Sequence, residues 1–277
     1  GEIWLASLAR AGTPVGVLLV RVLRTLFGRS AHHVSLSIVV DRGIDVAALD
    51  WLRAQASGRD EAILFIDGWT GKGTIAAELR ASIAAYNDRC DARLNPQLYV
   101  VADLCGVTPH AATNEDYLIP SSLLGAVVSG LLSRTILPRD RVGTDQWHCA
   151  RFYDELRPHD RSLAFVDRVE QHIHELDIVT EAGLLKRRDL SLEAAQASAA
   201  LADWQRRLEL KNLRYLKPGI GEATRVLLRR LPRLLIVREL GDPNVRHMVL
   251  LATERRVSIE VDAHLPWRAL AAIVEEG

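Results

Sequence analysis

The sequence predicts an α/β protein, with a parallel sheet flanked by helices and a second, smaller α/β unit at the carboxyl end. Short apolar runs alternate with helical patterns through the first hundred residues, which is typical of a parallel sheet with helices on both faces. A long Ala-, Gln- and Arg-rich helical stretch follows near residue 200, and a new alternation of helices and strands begins at Leu216. The 277 residues are enough for one large domain or two ordinary ones.

Four apolar runs bounded by turn residues predict the strands of the first sheet. They are Glu2–Ser7, Val34–Val40, Ile63–Ile66 and Leu98–Ala102. Helical patterns fill the intervals, at Val15–Leu26, from about Val46 to Gln55, and from a glycine-rich turn to about Asn87. Asp45 immediately precedes the second of these helices, so we expect it to cap that helix rather than to take part in catalysis.

The second half of the chain is predicted to be mainly helical until the smaller unit begins. The predicted helices are 121–133, about Phe152 to Ile173, and a bridging helix at Leu192–Asn212. After Leu216 the pattern predicts a helix, a strand at Leu234–Arg238, a helix at Val245–Arg255, a strand at Val257–Val261 and a last helix. We therefore expect a first domain at 1–190, the bridging helix within 191–212, and a compact α/β/α sandwich at 213–277.

Composition limits the classes of function. Acidic and basic residues number 35 each, so no overall field attracts nucleic acid and any RNA contact must be local. The cysteines, Cys90, Cys105 and Cys149, have neither disulfide nor metal-ligand spacing, which suits a reducing cytoplasm. No apolar span reaches the twenty or so residues needed to cross a membrane. The spacing of Cys105 and His110 does not support a nucleophile and its base, so a thiol protease is not expected.

The segment Asp67-Gly-Trp-Thr-Gly-Lys-Gly-Thr74 is the most informative part of the chain. A predicted buried strand leads into Asp67, and the carboxyl ends of parallel strands are where open α/β sheets bind ligands. Gly68, Gly71 and Gly73 let the backbone approach a ligand, and the following helix adds the positive end of its dipole. An acid beside such a turn suits a phosphorylated sugar or a nucleotide. The alternative is a tight strand-to-helix turn that binds no ligand.

The spacing of this segment excludes the phosphate loop of nucleotide hydrolases. That loop needs a glycine five residues before its Gly-Lys pair, where this chain has Ile66, and a Ser or Thr after the lysine, where it has Gly73. The order strand, acid, Gly-x-Thr-Gly-x-Gly-Thr instead resembles the phosphoribosyl pyrophosphate motif of type I phosphoribosyltransferases. Those enzymes usually have two adjacent acids before the turn. Here Gly68 follows Asp67, so ligand binding is better supported than turnover.

Two further turns fit the same resemblance. The turn Leu8–Pro14 is similar to the pyrophosphate loop of phosphoribosyltransferases, with Arg10 facing the leaving pyrophosphate and Ala11 and Gly12 supplying backbone N–H donors. The alternative for Arg10 is an arginine in a solvated turn. Arg42 follows the second strand, where this fold carries a mobile loop that closes over the reaction, and its side chain is expected to reach phosphate.

An aromatic and a histidine at positions 147 and 148 suggest an acceptor site. Trp147 would stack on a base, and His148 would contact the acceptor ring or a phosphate. The alternative is that Trp147 packs against the protein and His148 caps the next helix.

Five segments together resemble one bacterial family. It consists of phosphoribosyltransferase-like proteins with a carboxyl-terminal Pelota-type RNA-binding domain, associated with tellurite-resistance and stress gene clusters. The segments are Ser7–Gly16, Arg42–Asp45, Phe65–Thr74, Val128–Thr135 and His148–Tyr153. The family has also been described as a cysteine protease. Its members commonly have glycine at the position of Cys149, so the resemblance does not favour that activity.

The resemblance implies a phosphoribosyltransferase that uses phosphoribosyl pyrophosphate and Mg²⁺ to ribosylate a base, a nucleoside precursor or RNA. Arg10 and Arg42 would neutralise the pyrophosphate, and Asp67 would hold the ribose hydroxyls and contact the metal indirectly through the substrate. The 5′-phosphate would be bound by the turn residues Thr70, Gly71, Lys72, Gly73 and Thr74. The alternative is a non-catalytic, RNA-binding stress protein that senses a nucleotide. A homodimer is compatible with both.

The start of the smaller unit resembles a second known motif. Leu216–Arg225 is similar to the kink-turn RNA-binding signature of Pelota and archaeal ribosomal proteins. The resemblance implies that structured RNA is bound by Lys217, Glu222, Thr224 and Arg225. Glycines at a helix start beside basic residues suit RNA that is recognised by its shape. The alternative is an arginine-rich helix that only docks on the first domain.

Overall fold

The computed structural model describes residues 1–118, 131–133, 135–137, 147–183, 188–230 and 232–273. The predicted helix at 121–133 therefore lies almost wholly outside the described residues. The chain divides into two compact units, each built from separate segments. The first unit comprises Gly1–Gly68, Thr74–Val100 and Leu124–Arg187, and the second comprises Trp69–Gly73, Val101–Leu123 and Arg188–Gly277.

A five-stranded sheet has the order β2-β1-β5-β6-β7. Its strands are β1 (Ile3–Leu8), β2 (Ala31–Leu36), β5 (Ile63–Thr70), β6 (Leu98–Asp103) and β7 (Ala111–Thr113). Strand β1 pairs in parallel with both β2 and β5. Between β2 and β5 lies a short antiparallel hairpin of β3 (Ile38–Val39) and β4 (Gly43–Ile44). The predicted α/β architecture with a parallel sheet flanked by helices is confirmed.

Five α-helices of the described part of the chain belong to the first unit. They are α1 (Thr13–Thr25), α2 (Val46–Gln55), α3 (Thr74–Cys90), α4 (Ser162–Glu175) and α5 (Ile178–Gly183). Val20 of α1 packs on Leu5, Ala31 and Ile66 of the sheet. Asp45 caps α2, since its Oδ1 accepts from the backbone N–H of Ala48 at 3.0 Å, as the sequence predicts.

Two strand boundaries differ from the prediction. Strand β5 does not end at Ile66 but runs to Thr70, whose carbonyl accepts from the backbone N–H of Leu104 at 3.0 Å. Asp67 therefore lies within the strand rather than at its tip. The predicted strand Val34–Val40 is instead β2 followed by the hairpin, because the chain turns at Ser37 and its carbonyl accepts from Asp45.

The second unit contains a four-stranded mixed sheet with the order β10-β9-β11-β8. Its strands are β8 (Leu216–Pro218), β9 (Pro232–Val237), β10 (Ser258–Val261) and β11 (Ala269–Ile273), and its helices are α6 (Leu190–Arg207), α7 (Ile220–Arg229) and α8 (Arg246–Glu254). Strands β9 and β10 are parallel, and β11 is antiparallel to both β9 and β8. Helix α6 covers most of the stretch predicted as a bridging helix, and it lies within the second unit.

The predicted last helix is wrong, since residues 269–273 form the inner strand β11. All five residues are buried. Leu270 and Ala272 enter a core with Trp204 of α6, whereas Ala269 and Ala271 enter the opposite core against α7 and α8. Alternate residues of a strand point to opposite faces. A run of small apolar residues can therefore serve two cores at once, and it lacks the one-sided pattern of an amphipathic helix. Among the described helices, none is long and apolar enough to cross a membrane.

Candidate functional site

The turn after β1 is held by internal hydrogen bonds. Arg10 donates from Nη1 to the carbonyl of Leu132 at 3.0 Å. The N–H of Gly12 donates to the carbonyl of Leu8 at 3.1 Å, and a Cβ at Gly12 would lie 2.7 Å from the carbonyl oxygen of Ile66. Gly12 is thus required for close packing of this turn on β5, and its N–H is already used. Ala11 lies in the same turn, partly exposed.

Asp67 is half-buried within β5, where its Oδ1 accepts from the backbone N–H of Gly68 at 2.7 Å. Thr70, at the end of the strand, is buried. Thr74 is exposed and begins α3. Asp67 and Thr70 thus lie on an extended strand, and Thr74 lies at the start of a helix.

Lys72 makes contacts that the sequence does not predict. In the second unit its Nζ donates to the carbonyls of Leu213 at 2.5 Å and Leu216 at 2.7 Å. Burial, reinforced by the nearby charge of Lys217, lowers the pKa of Lys72 to about 8. Gly73 has φ +81° and lies so close to Val107 that a Cβ would approach its methyl groups to 2.9 Å. The turn packs within its own unit rather than presenting an open loop.

Arg42 lies in the tight turn between β3 and β4, where its backbone N–H donates to the carbonyl of Val39 and its side chain is exposed. The preceding Asp41 has φ +64°, as such turns require. The turn lies within the first unit.

Trp147, His148 and Cys149 are adjacent and differ in accessibility. Trp147 is 54% exposed, while His148 is anchored twice. Its backbone N–H donates to Asp45 Oδ2 at 2.8 Å, and its Nδ1 lies 2.9 Å from Ser37 Oγ. The side chain of Trp147 is therefore not packed against the protein, which was the alternative for this residue. His148 does not cap a helix; its backbone instead donates to Asp45, the residue that caps α2.

The three thiols have different environments. Cys105 lies in the apolar core beside Trp267, and burial, with the charge of Asp103 adding to it, raises the pKa of its thiol to about 12. Cys90 is the last residue of α3 and contacts the side chain of Arg89. Cys149 is partly exposed. Its backbone pairs with Ile136 in both directions, at 2.7 and 3.2 Å, and its Sγ lies 3.7 Å from the carbonyl of Trp147.

The structure also reveals a polar network that the sequence analysis does not single out. Ser7, fully buried at the end of β1, lies 2.8 Å from His33 Nε2 and 3.0 Å from Ser35 Oγ, and Ser35 Oγ lies 2.9 Å from Thr13 Oγ1. Burial lowers the pKa of His33 to about 4, so the ring is neutral at pH 7. The sequence contains a signal for this network, namely a serine inside an apolar strand together with polar residues that alternate along β2.

The predicted RNA-binding residues form a charged group at the start of α7. Glu222 pairs with Lys217 at 3.9 Å and with Arg225 at 3.2 Å, and the three side chains are 25–33% exposed. Thr224 is buried, and its hydroxyl hydrogen bonds to His247 at 2.8 Å. The structure therefore brings three of the four predicted residues together at the surface.

Asp116 is a second residue that the sequence analysis does not single out. It is 6% exposed and accepts from the backbone N–H groups of Ile220 and Arg268, both at 2.8 Å. It thereby caps α7 from a distant part of the chain. Among the described residues, no group of three or more acidic, histidine or cysteine side chains could hold a metal ion. The predicted Mg²⁺, expected mainly on the substrate, stays a prediction.

Comparisons with known proteins correct the predicted activity. Residues 1–170 match the family model described as "Tellurite-like stress resistance cysteine protease StiP", and residues 195–275 match the PELOTA RNA binding domain. The chain is 35% identical over 284 residues to the "Cysteine protease StiP" of Acinetobacter baylyi, covering 99% of this chain and 72% of that protein. No solved structure matches the chain.

The predicted phosphoribosyl transfer, with phosphoribosyl pyrophosphate as substrate, is wrong, and so is the exclusion of a thiol protease. The physical reason is that a glycine-rich turn serves anion binding or close packing equally well. Here Gly12 and Gly73 serve packing, and Lys72 is held by carbonyls. The expected link to stress and tellurite resistance agrees with the matched family. The chain belongs to the StiP family of tellurite-like stress resistance cysteine proteases.

Proposed function

We propose that this chain is a cysteine-dependent peptidase of the stress response, and that its nucleophile is Cys149, at a position where the family resemblance gives glycine in other members. The observation that carries the assignment is the contrast between thiols. The thiolate is the reactive form, and burial keeps Cys105 protonated at neutral pH, whereas Cys149 is partly exposed next to an anchored histidine. The predicted type I phosphoribosyltransferase fold of the first unit, the homodimer and the cytoplasmic location stay predictions.

The proposed reaction follows the general scheme of thiol peptidases. The Cys149 thiolate bonds to the carbonyl carbon of a peptide, the C–N bond breaks, and the leaving amine takes a proton from His148. Water then attacks the thioester, releasing the acid and the thiol. Neighbouring residues of an extended segment point to opposite faces, so we propose that the proton passes between Cys149 and His148 through one water. The hydrogen bond to Ser37 holds Nδ1 and leaves Nε2 for this transfer.

Single cysteine variants of the full chain test the assignment. We expect the wild-type protein to cleave an unfolded protein substrate such as reduced casein, and Cys149→Ala to abolish cleavage. Cys90→Ala is the matched control and should retain it. Mass spectrometry after brief iodoacetamide treatment should find Cys149 alkylated before Cys105. Cleavage retained in Cys149→Ala would move the nucleophile elsewhere, and its absence from the wild-type protein with every substrate would refute the peptidase.

We also propose that the second unit binds structured RNA. The support is the matched RNA-binding domain together with the partly exposed Lys217, Glu222 and Arg225 at the start of α7. Fluorescence anisotropy with a labelled kink-turn RNA tests this, with single-stranded oligouridine of equal length as the control. Tighter binding of the kink-turn, weakened by Arg225→Ala, is expected. Equal affinity for the two RNAs would contradict recognition of RNA shape.

A further inference from the structure

Two cations pair with one carboxylate in the second unit, and a third cation lies near them. Glu222 accepts from Arg225 at 3.2 Å and pairs with Lys217 at 3.9 Å. Lys72, from the glycine-rich turn, is close enough that Lys217 repels it and Glu222 attracts it electrostatically. One negative charge does not neutralise three positive ones. The group therefore carries an excess of two positive charges when Lys72 is protonated.

The ammonium of Lys72 is held in place without being saturated. An ammonium has three N–H donors. Two of them go to the carbonyls of Leu213 and of Leu216, the residue directly before Lys217. Among the described residues, the third donor has no hydrogen-bond acceptor. The two carbonyls thus fix the charge beside Lys217, and they leave one donor for a ligand.

The first amide of the nearby helix is not available to an anion. Helix α7 begins three residues after Lys217, and its positive end would attract an anion. Its first N–H, at Ile220, is already taken by the carboxylate of Asp116. That amide cannot meet a phosphate, whereas the side-chain cations beside this helix start can.

We propose that Lys72 is part of the RNA-binding surface and, with Lys217 and Arg225, binds a phosphate of the RNA backbone. The inference rests on the RNA binding proposed above and extends it to a residue of the β5–α3 turn. RNA is favoured over a protein partner because the surplus charge is concentrated at one point beside a region that matches an RNA-binding domain.

The salt dependence of RNA binding tests this. Loss of one phosphate contact lowers the slope of log Kd against log[KCl] by about 0.8, which corresponds to about sixfold weaker binding at 0.1 M KCl if the affinity at 1 M is unchanged. We expect this of Lys72→Met with the kink-turn RNA, measured by anisotropy from 0.05 to 0.5 M KCl. Lys72→Arg should restore most of the slope. Arg256→Asn, which removes a charge from the α8–β10 turn, should change neither quantity.

The outcomes separate the two proposals. If the wild-type protein does not bind the RNA, the RNA-binding proposal fails. If it binds and Lys72→Met weakens binding with an unchanged slope, Lys72 is only structural and the inference is overturned. Should Lys72→Met not fold by circular dichroism, acetylation of the wild-type protein at pH 8 with mass spectrometry replaces it. RNA is then expected to protect Lys72 and Lys217 but not Lys211, and equal acetylation of Lys72 with and without RNA would overturn the inference.

Discussion

Asp116 allows a quantitative prediction about pH. Burial raises its pKa from its ordinary 3.8 to about 6, against the lowering effect of its backbone donors at Ile220, Arg268 and Ala269. A carboxyl group whose pKa is raised on folding contributes stability that is fully present below pH 3.8 and is lost as the pH rises through 6. At about 1.4 kcal/mol per pH unit, the loss between pH 4 and pH 7 is about 2 kcal/mol, because the unfolded carboxyl is already partly ionised at pH 4.

The variant Asp116→Asn isolates this contribution. Asparagine is nearly isosteric and uncharged, but its NH₂ group cannot accept from one of the backbone donors, which costs about 1–3 kcal/mol. We therefore expect the variant to be less stable than the wild-type protein at pH 4. Because only the wild-type protein carries the buried charge at pH 7, the difference should shrink by about 2 kcal/mol and approach zero there.

Urea denaturation followed by tryptophan fluorescence measures this difference, since Trp204 and Trp267 are buried in the same unit as Asp116. The other titrating groups are common to both proteins and cancel in the comparison. A free-energy difference that stays constant from pH 4 to pH 7 would refute the reasoning and show that Asp116 keeps its ordinary pKa.

Three further predictions concern the stability of the fold. Gly12→Ala should lower the free energy of unfolding by about 3 kcal/mol in thermal denaturation, because its Cβ would meet backbone atoms that cannot move aside. The control is Gly183→Ala, since the space around Gly183 is open. Equal effects of the two substitutions would contradict the packing argument. Since the pKa of His33 is lowered to about 4, the free energy of unfolding should fall as the pH drops from 6.5 to 4. His33→Gln should flatten this part of the pH profile measured by urea denaturation. An unchanged profile in the variant would contradict the lowered pKa. Arg188→Ala should cost about 3–5 kcal/mol in urea denaturation, because it removes the ion-pair partner of the fully buried Asp103; a loss below 1 kcal/mol would show that the backbone donors alone suffice.

Local patterns in the sequence were enough to predict the first unit's main elements. Helix α2 and its Asp45 cap agree with the prediction residue by residue, and β1 and β6 differ by one or two positions. These elements are encoded by apolar periodicity and a capping residue, which a short window contains. Strand β11 was missed because Ala and Leu suit both states, and only its position between two cores decides.

The site was harder to predict because its decisive contacts are distant in sequence. Lys72 reaches a carbonyl 141 residues away, and Asp116 caps a helix 104 residues away. A glycine-rich turn with a lysine has the same local pattern whether the lysine faces a ligand or a carbonyl. Likewise, the difference between Cys105 and Cys149 is one of burial, which the wide spacing of the cysteines does not express.

The discontinuous make-up of the second unit has a consequence for its synthesis on the ribosome. Residues 69–73 and 101–123 emerge long before 213–273, so Lys72, Leu104 and Asp116 are translated well ahead of the groups they bind. Trp267, which donates to the carbonyl of Leu104 at 2.7 Å, is translated 163 residues after it. A fragment beginning at residue 195 would contain α7 without its cap. The RNA-binding region is therefore not a portable module, and fusion proteins that carry it alone are expected to be unstable.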